Sequence, residues 1–323
     1  MMRGTAFGRI GYIGKIPTRS DFIKAAQDMP LIGVLDNWMA QVMSRLPSDA
    51  RWKINYDALA PVSFAFVGPR RKHAIAGHLV ASSDQSGRRF PFLMMRALEV
   101  ADPQQFVARC PLVLEPLFTR LDRMAQDVMG AADPTPHLQS IPETVVDLDE
   151  QAGGALATFL ATGTVHSLGA LLCRTDVKQL ILALGLLLQP VMQSGAADLQ
   201  KSLVLPLPLN DDARYAVAAF WLELIAPFLG RADFELALFI TRIEYRPVLV
   251  VGFSGAAAAT LQGIIDPLAA IEQQISFSDT RWVDEQAGFD VDTRALASYL
   301  DQPQLPLKLA RQLFLQTFTG AST

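Results

Sequence analysis

The segment with the clearest chemical pattern is Gly252-Phe253-Ser254-Gly255-Ala256. A serine between glycines, after a Val-rich strand pattern and before an Ala-rich helix pattern, is where hydrolases of the α/β class carry their nucleophile. Such a serine needs a histidine as general base, and in those enzymes the histidine follows the serine in the chain. The last histidine here is His166, upstream of Ser254. We therefore expect a strand-to-helix turn, and a serine hydrolase using Ser254 is the alternative hypothesis.

The spacing of residues also argues against a phosphate-binding site and a metal site. The pair Gly14-Lys15 would suit a phosphate loop if a glycine stood five positions earlier and a hydroxyl residue followed, but Arg9 and Ile16 occupy those positions. The four histidines lack the spacing of metal ligands. We expect no catalytic residues, no metal and no cofactor.

A polar and aromatic loop is the most distinctive cluster of the first hundred residues. Asp84-Gln85-Ser86-Gly87-Arg88-Arg89-Phe90-Pro91 combines a turn glycine with two guanidinium groups and an aromatic ring. With Arg70-Arg71-Lys72 it gives five cations within 20 residues, which suits carboxylate or phosphate groups of a partner. A solvated hairpin loop, in which Asp84 pairs with its own arginine, is an equally good interpretation.

The charge distribution also favours a docking role for the first part of the chain. Residues 1–99 hold 14 Lys and Arg against 7 Asp and Glu, whereas the whole chain of 323 residues has a net charge of −4. This basic density is below that of nucleic-acid-binding domains, so we expect no nucleic-acid partner. Half of the residues are apolar, which excludes a disordered chain. Two distant cysteines favour a reducing compartment, the cytoplasm.

The elements that would position these residues follow from hydrophobic periodicity. We predict a strand over 8–15, an amphipathic helix over 31–46 with Trp38 on its apolar stripe, three antiparallel strands over 61–68, 73–82 and 90–98, and a helix over 103–129. The prolines of 131–145 predict a linker. The predicted fold is therefore α/β, with an N-terminal domain over 1–130, the linker, and a helix-rich α/β domain over 146–323.

The second half contains two stretches without charge, 153–173 and 179–197. Both approach the length that a membrane span needs, but glycines, threonines and a Gln-Pro pair interrupt them. We predict buried helices and no stable membrane insertion. Further on, we predict a helix over 212–229, strands over 236–243 and 247–253, and one Ala-rich helix over 255–274.

Two stretches resemble a known family. Gly11-Tyr12-Ile13-Gly14-Lys15-Ile16-Pro17-Thr18-Arg19-Ser20-Asp21-Phe22, followed by Asp36-Asn37-Trp38-Met39, resembles the opening of the type VI secretion-associated TagF family, G-x-x-G-K-L-P-x-x-G-D-F and W-D-x-W-L. Asp84 to Pro91 resembles its D-x-x-G-R-x-F-P segment. Ser20 and Leu35 depart from the pattern, where the family has Gly and Trp.

The resemblance implies a cytoplasmic, non-enzymatic accessory protein of the type VI secretion system. It would repress assembly or activity after translation, commonly through a scaffold with a forkhead-associated domain, and its N-terminal domain would be of longin or profilin type. A purely structural subunit is a further alternative, and self-association stays open. The motifs carry over partner-binding positions Lys15, Arg19, Asp21, Asp84, Arg88, Arg89 and Phe90, with Arg88 foremost, and structural positions Gly14, Pro17, Trp38, Gly87 and Pro91.

Overall fold

The computed structural model describes residues 8–26, 28–148, 153–194, 199–230, 234–287 and 291–320. Its elements alternate between strands and helices throughout both halves of the chain. The first half contains β1 (Gly11–Gly14), β2 (Ile23–Ala25), α1 (Met29–Arg45), α2 (Trp52–Asp57), β3 (Val62–Val67), β4 (His73–Val80), β5 (Phe92–Glu99), α3 (Pro103–Gly130) and α4 (Thr135–Ser140). The second half contains α5 (Gly153–Thr162), α6 (Val165–Leu172), α7 (Val177–Ser194), β6 (Ser202–Pro206), α8 (Asp211–Leu229), β7 (Leu236–Ile243), β8 (Arg246–Gly252), α9 (Ala258–Ile265), α10 (Pro267–Gln273), β9 (Gln274–Ser276), α11 (Trp282–Ala287), α12 (Val291–Leu300) and α13 (Leu307–Thr319).

All nine of these strands form one sheet in the order β2-β1-β5-β4-β3-β7-β8-β6-β9. Neighbouring strands are antiparallel, except that β6 and β9 are parallel. The two halves of the chain meet where Ser63–Val67 of β3 pairs with residues 236–240 of β7. The predicted α/β fold is confirmed, whereas the predicted division into domains and the longin or profilin type stay predictions.

Helices cover both faces of the sheet, because successive side chains of each strand point to opposite faces. On one face, Ala65, Ala74 and Ala76 join a core formed with α3, α5, α6, α7, α8 and α13. On the other face, Phe64 and Leu79 join a core formed with α1, α2 and α9. The sheet is therefore the middle layer of a three-layer structure.

Helix α1 shows how local sequence sets an element. The Asp28 carboxylate accepts a hydrogen bond from the Leu31 amide and caps the first turn. One stripe of the helix is buried, consisting of Ile32, Leu35, Trp38, Met39 and Val42. The Trp38 ring lies over the junction between the two halves, 5.7 Å from the Phe64 ring and 6.3 Å from the Phe239 ring. The predicted helix and the position of Trp38 on its apolar stripe are confirmed.

The two uncharged stretches are helices α5, α6 and α7. Leu180, Ile181, Leu182, Ala183 and Leu184 are completely or almost completely buried against the rest of the protein. Among the described helices, none has both the length and the apolar character needed to cross a membrane. The prediction of a buried helix is confirmed for the described part of the second stretch, whereas α5 in the first stretch buries only Leu156 and Leu160 and exposes most of its other residues. Residues 195–197 of the second stretch lie outside the described residues.

The prediction of one Ala-rich helix over 255–274 is wrong. Two helices, α9 and α10, are separated at Asp266, which has φ −110° and ψ 109° and whose side chain caps the Leu268 amide. Pro267 explains the break, because a proline has no amide hydrogen to donate and forces the preceding residue out of the helical region.

The segment 131–145 contains the short helix α4 and packs against α3. Leu138 and Ile141 of this segment are buried in the same core as α3. Beyond it, the buried Arg96 of β5 donates a 2.6 Å hydrogen bond to the Val146 carbonyl oxygen. Despite its prolines, this stretch is fixed to the fold by packing and by hydrogen bonding.

Candidate functional site

The end of β1 brings the first motif against the second. Gly14 has φ +138°, and a Cβ atom there would overlap the Pro91 carbonyl oxygen and lie 2.8 Å from Phe92 Cα. Only glycine fits this approach, because any other residue would place its side chain inside the neighbouring backbone. Because Lys15 directly follows Gly14, this close contact places Lys15 beside the loop that contains Asp84.

A buried ion pair connects the two motifs across 69 positions of sequence. Lys15 Nζ lies 2.9 Å from Asp84 Oδ2, and the two side chains are 8% and 0% exposed. Asp84 also accepts hydrogen bonds from the Ser86 and Arg88 amides at 3.0 and 2.9 Å, and from Arg88 Nε at 2.6 Å. Burial alone would raise the pKa of Asp84, but the hydrogen bonds from Lys15, Arg88 and Ser86 outweigh it and hold the pKa well below its usual range.

The loop itself is a tight turn with a defined backbone. Gly87, at φ +77°, donates its amide to the Asp84 carbonyl oxygen at 2.8 Å, and the Asp84 amide donates to the Arg88 carbonyl oxygen at 3.1 Å. Below the turn, the buried Tyr56 hydroxyl donates to the Ser82 carbonyl oxygen and accepts from the Ser82 amide. The turn is therefore fixed at its tip and at its base.

The exposed residues of this region form what we call the loop platform, consisting of Arg19, Asp21, Phe22 and Arg88. The Arg88 side chain is 60% exposed although its Nη2 donates to the Ser20 carbonyl oxygen at 2.7 Å. Arg19 donates to Thr135 Oγ1 at 2.6 Å, lies 3.5 Å from Asp133 Oδ1 and remains partly exposed. Phe22 is 49% exposed and packs edge-on against Phe90, with ring centroids 4.8 Å apart.

The structure divides the predicted partner-binding residues into supports and exposed groups. Lys15, Asp84 and Phe90 are buried and hold the platform, while Arg19, Asp21 and Arg88 reach its surface. Arg89 is partly buried and makes a bidentate ion pair with Asp57, at 2.7 and 2.5 Å. Among the predicted structural positions, Gly14, Trp38 and Pro91 are buried, whereas Pro17 and Gly87 are exposed.

The structure agrees in part with both interpretations of the loop, as a partner-binding surface and as a turn in which Asp84 pairs with its own arginine. Asp84 pairs with its own Arg88, and it also binds Lys15 from the other motif. Of the remaining predicted cations, Arg70 donates to the Gly230 carbonyl oxygen and Arg71 pairs with Glu235. Phe22 was not among the predicted contact residues, although its place directly after Asp21 in the motif is a signal that could have indicated it.

The segment around Ser254 lies between the end of β8 and the start of α9, as the sequence predicts. Gly255 has φ +57°, and its amide donates to the Glu235 carbonyl oxygen at 2.6 Å. Ser254 is exposed, and within the described residues its hydroxyl has no hydrogen bond to a histidine. In the same ranges, no group of three His, Cys, Asp or Glu side chains could hold a metal ion.

Residues 11–144 match the family model of the TagF N-terminal domain, which is described as type VI secretion system-associated. The predicted resemblance to the TagF family is thereby confirmed over these residues, and the described association of that domain is with type VI secretion. The matched residues extend from β1 through α4 and include the complete loop platform.

Comparison with solved structures gives the crystal structure of PA0076 from Pseudomonas aeruginosa PAO1, determined at 2.05 Å resolution. The similarity has a TM-score of 0.35 and 20% sequence identity, and it covers 42% of this chain. The chain spans 64% of the length of PA0076, less than two thirds. Comparison with curated proteins gives no match.

Proposed function

We propose that this protein is a non-enzymatic, cytoplasmic accessory protein of the type VI secretion system that represses its assembly or activity after translation. It does so by binding a machine or scaffold protein through the loop platform of its TagF N-terminal domain. The observation that carries the proposal is the buried Lys15–Asp84 pair, because Asp84 in turn holds the exposed Arg88 of the platform.

The platform has the chemistry of a protein-binding surface. Arginine and aromatic residues contribute most of the binding energy in many interfaces, and here the exposed Arg88 and the partly exposed Arg19 accompany an exposed aromatic ring, Phe22. Because Arg88 is already held by Asp84 and Ser20, binding would cost little side-chain entropy. Guanidinium groups in fixed positions favour carboxylates on the partner.

A scaffold protein with a forkhead-associated domain is the partner that the family resemblance favours. The direct test measures its affinity for the full chain by isothermal titration calorimetry. We expect R88E to weaken binding at least about tenfold, which corresponds to about 1.4 kcal/mol. F22A should weaken it several-fold through lost apolar contact. R45E, a charge reversal at an exposed arginine at the end of α1, should leave the affinity within about twofold.

Thermal unfolding separates a lost contact from a damaged platform. R88E places a carboxylate beside Asp84 and can loosen the loop, whereas F22A changes no partner of Asp84. The proposal is wrong if both variants keep the wild-type melting temperature and bind the scaffold as the wild type does. Repression is tested in cells that lack the gene: the wild-type chain should lower type VI activity, and R88E should not.

A further inference from the structure

A cavity of about 500 Å³ lies apart from the loop platform, between helices α3 and α8 and over strands β3, β4 and β7. Both halves of the chain contribute to its wall, so it exists only where β3 pairs with β7. One of its residues, His78, is among the four histidines whose spacing does not suit metal ligation. The residues that matter for its chemistry are Ser63, His78, Glu115, Phe118, Asp122 and Tyr215.

The base of the cavity contains a buried histidine with an unused polar atom. His78 is 3% exposed, and its Nδ1 lies 3.1 Å from Ser63 Oγ. His78 Nε2 lies 3.3 Å from Asp122 Oδ1, and this proximity lowers the pKa of that carboxyl, but the nitrogen has no well-directed hydrogen bond to any described residue. Buried polar atoms are nearly always hydrogen-bonded. An unpartnered nitrogen that lines a cavity therefore points to a ligand with a polar group at this position.

The charge of the wall indicates the sign of that ligand. Four carboxylates and two guanidinium groups line the cavity, a formal charge of −2 with His78 neutral. One guanidinium, that of Arg214, pairs with Asp211 and donates to the Leu209 carbonyl oxygen at 3.1 Å, while its buried Nε has no hydrogen-bond partner among the described residues. The other, Arg242, lies at the exposed rim. Because the carboxylates outnumber the guanidinium groups, a cation would relieve the mutual repulsion of the carboxylates, whereas an anion would add to it.

The pKa values of Glu115 on α3 and Tyr215 on α8 are both raised, by burial and in part by neighbouring carboxylates. Burial raises the pKa of Glu115, and the neighbouring carboxylate of Asp212 raises it further. Burial likewise raises the pKa of Tyr215 to about 12, with Glu115 adding to the effect. Tyr215 also stacks on Phe118, with ring centroids 6.2 Å apart and 25° between the planes. Aromatic faces beside carboxylates are a favourable environment for an organic cation.

We propose that this cavity binds an organic cation, an ammonium or guanidinium group. Its N–H groups donate to the carboxylates of Asp122 and Glu115, its apolar part lies against Phe118 and Tyr215, and His78 Nε2 makes a further polar contact with it. The same chemistry is offered by a free small amine and by a lysine or arginine side chain of a polypeptide. The site shares no residue with the loop platform, so it stands independently of the proposed function.

The test uses n-butylguanidinium as the probe and neutral n-butylurea, which has nearly the same shape, as its control. Titration calorimetry on the full chain should detect binding of butylguanidinium, with butylurea at least about tenfold weaker. D122N and E115Q should each weaken butylguanidinium binding by about tenfold. D127N removes one carboxylate from an exposed position on the same helix, outside the cavity, and should leave the affinity within about twofold.

A second probe, the peptide acetyl-Gly-Arg-Gly-amide, identifies the source of the cation. Tighter binding of the peptide than of butylguanidinium supports a polypeptide side chain, and the reverse supports a small amine. The proposal is overturned if neither probe binds at concentrations up to about 10 mM. It is also overturned if butylurea binds as well as butylguanidinium, or if D127N weakens binding as much as D122N. Melting temperatures of the variants confirm that each is folded.

Discussion

Replacing Gly14 by alanine should destabilise this protein more than the same change at any exposed turn. Gly14 combines a φ of +138° with a direct approach to the next strand. A Cβ atom would overlap the Pro91 carbonyl oxygen and lie 2.8 Å from Phe92 Cα. Both atoms belong to backbone at the start of β5, so neither can rotate away as a flexible side chain would.

The expected loss has two contributions. The unfavourable backbone conformation costs about 1–3 kcal/mol for a residue with a side chain. Overpacking against a fixed neighbour costs about 1–3 kcal/mol more. We therefore expect G14A to lower the free energy of unfolding by about 2–6 kcal/mol. A shift of β1 away from β5 would also move Lys15 relative to Asp84, so the affinity of the platform for its partner should fall as well.

Gly87 provides a matched control. It also has a positive φ, +77°, but a Cβ atom there would meet no other atom within 4 Å. G87A should therefore cost only the conformational term, about 1–2 kcal/mol. Urea unfolding followed by circular dichroism measures both variants. Equal losses for G14A and G87A would refute the steric argument, and so would a loss below about 1 kcal/mol for G14A.

Two further predictions concern Trp38 and Asp84. Trp38 is buried, and its Nε1 has no hydrogen-bond partner in the described part of the chain. In urea unfolding, W38F should therefore lower the free energy of unfolding by less than about 1.5 kcal/mol, and W38A should lower it by about 3–5 kcal/mol. Equal losses would mean that the indole nitrogen, not packing, determines its role. Because the folded state lowers the pKa of Asp84, this carboxylate stabilises the fold above its unfolded pKa of about 4, and the contribution disappears as pH falls below that value. D84N should therefore have a lower free energy of unfolding than the wild type at neutral pH, and this free energy should fall less than that of the wild type as the pH is lowered. Parallel pH profiles of the two free energies, measured by urea unfolding, would contradict this.

Several elements could be predicted because their signals are local. The apolar spacing of residues 31–46 indicates α1 without any knowledge of what covers it, and Asp28 caps it within the same few residues. Strands β3 and β4 lie within the predicted ranges and β5 ends one residue beyond its range, since alternating and β-branched residues favour extended backbone. The single helix predicted over 255–274 is wrong because Pro267 keeps the preceding residue out of the helical conformation, whatever the alanine content around it. This effect of the proline is also local.

The candidate site was predicted in part. The motifs at 11–22 and 84–91 could be recognised from their residues, and the sequence indicated correctly that Gly87 shapes a turn and that Trp38 packs. It did not indicate that Lys15 and Asp84 are buried partners. That pairing depends on the antiparallel register of β1 with β5, in which Ile13 lies opposite Leu93, and strand register over such a separation has no local signature.

The sequence by itself determined the class of fold, six of the nine described strands, several of the helices, the basic character of the first part and its resemblance to the TagF family. Only the tertiary structure decided that both halves share one sheet, that Arg70, Arg71, Arg88 and Arg89 have separate partners, and that His78 lies in the wall of a carboxylate-lined cavity. The physical reason is the range of the forces. Helix caps, turns and periodicity act within a few residues, whereas the pairing of β3 with β7 and the burial of Asp84 join groups that the chain separates widely.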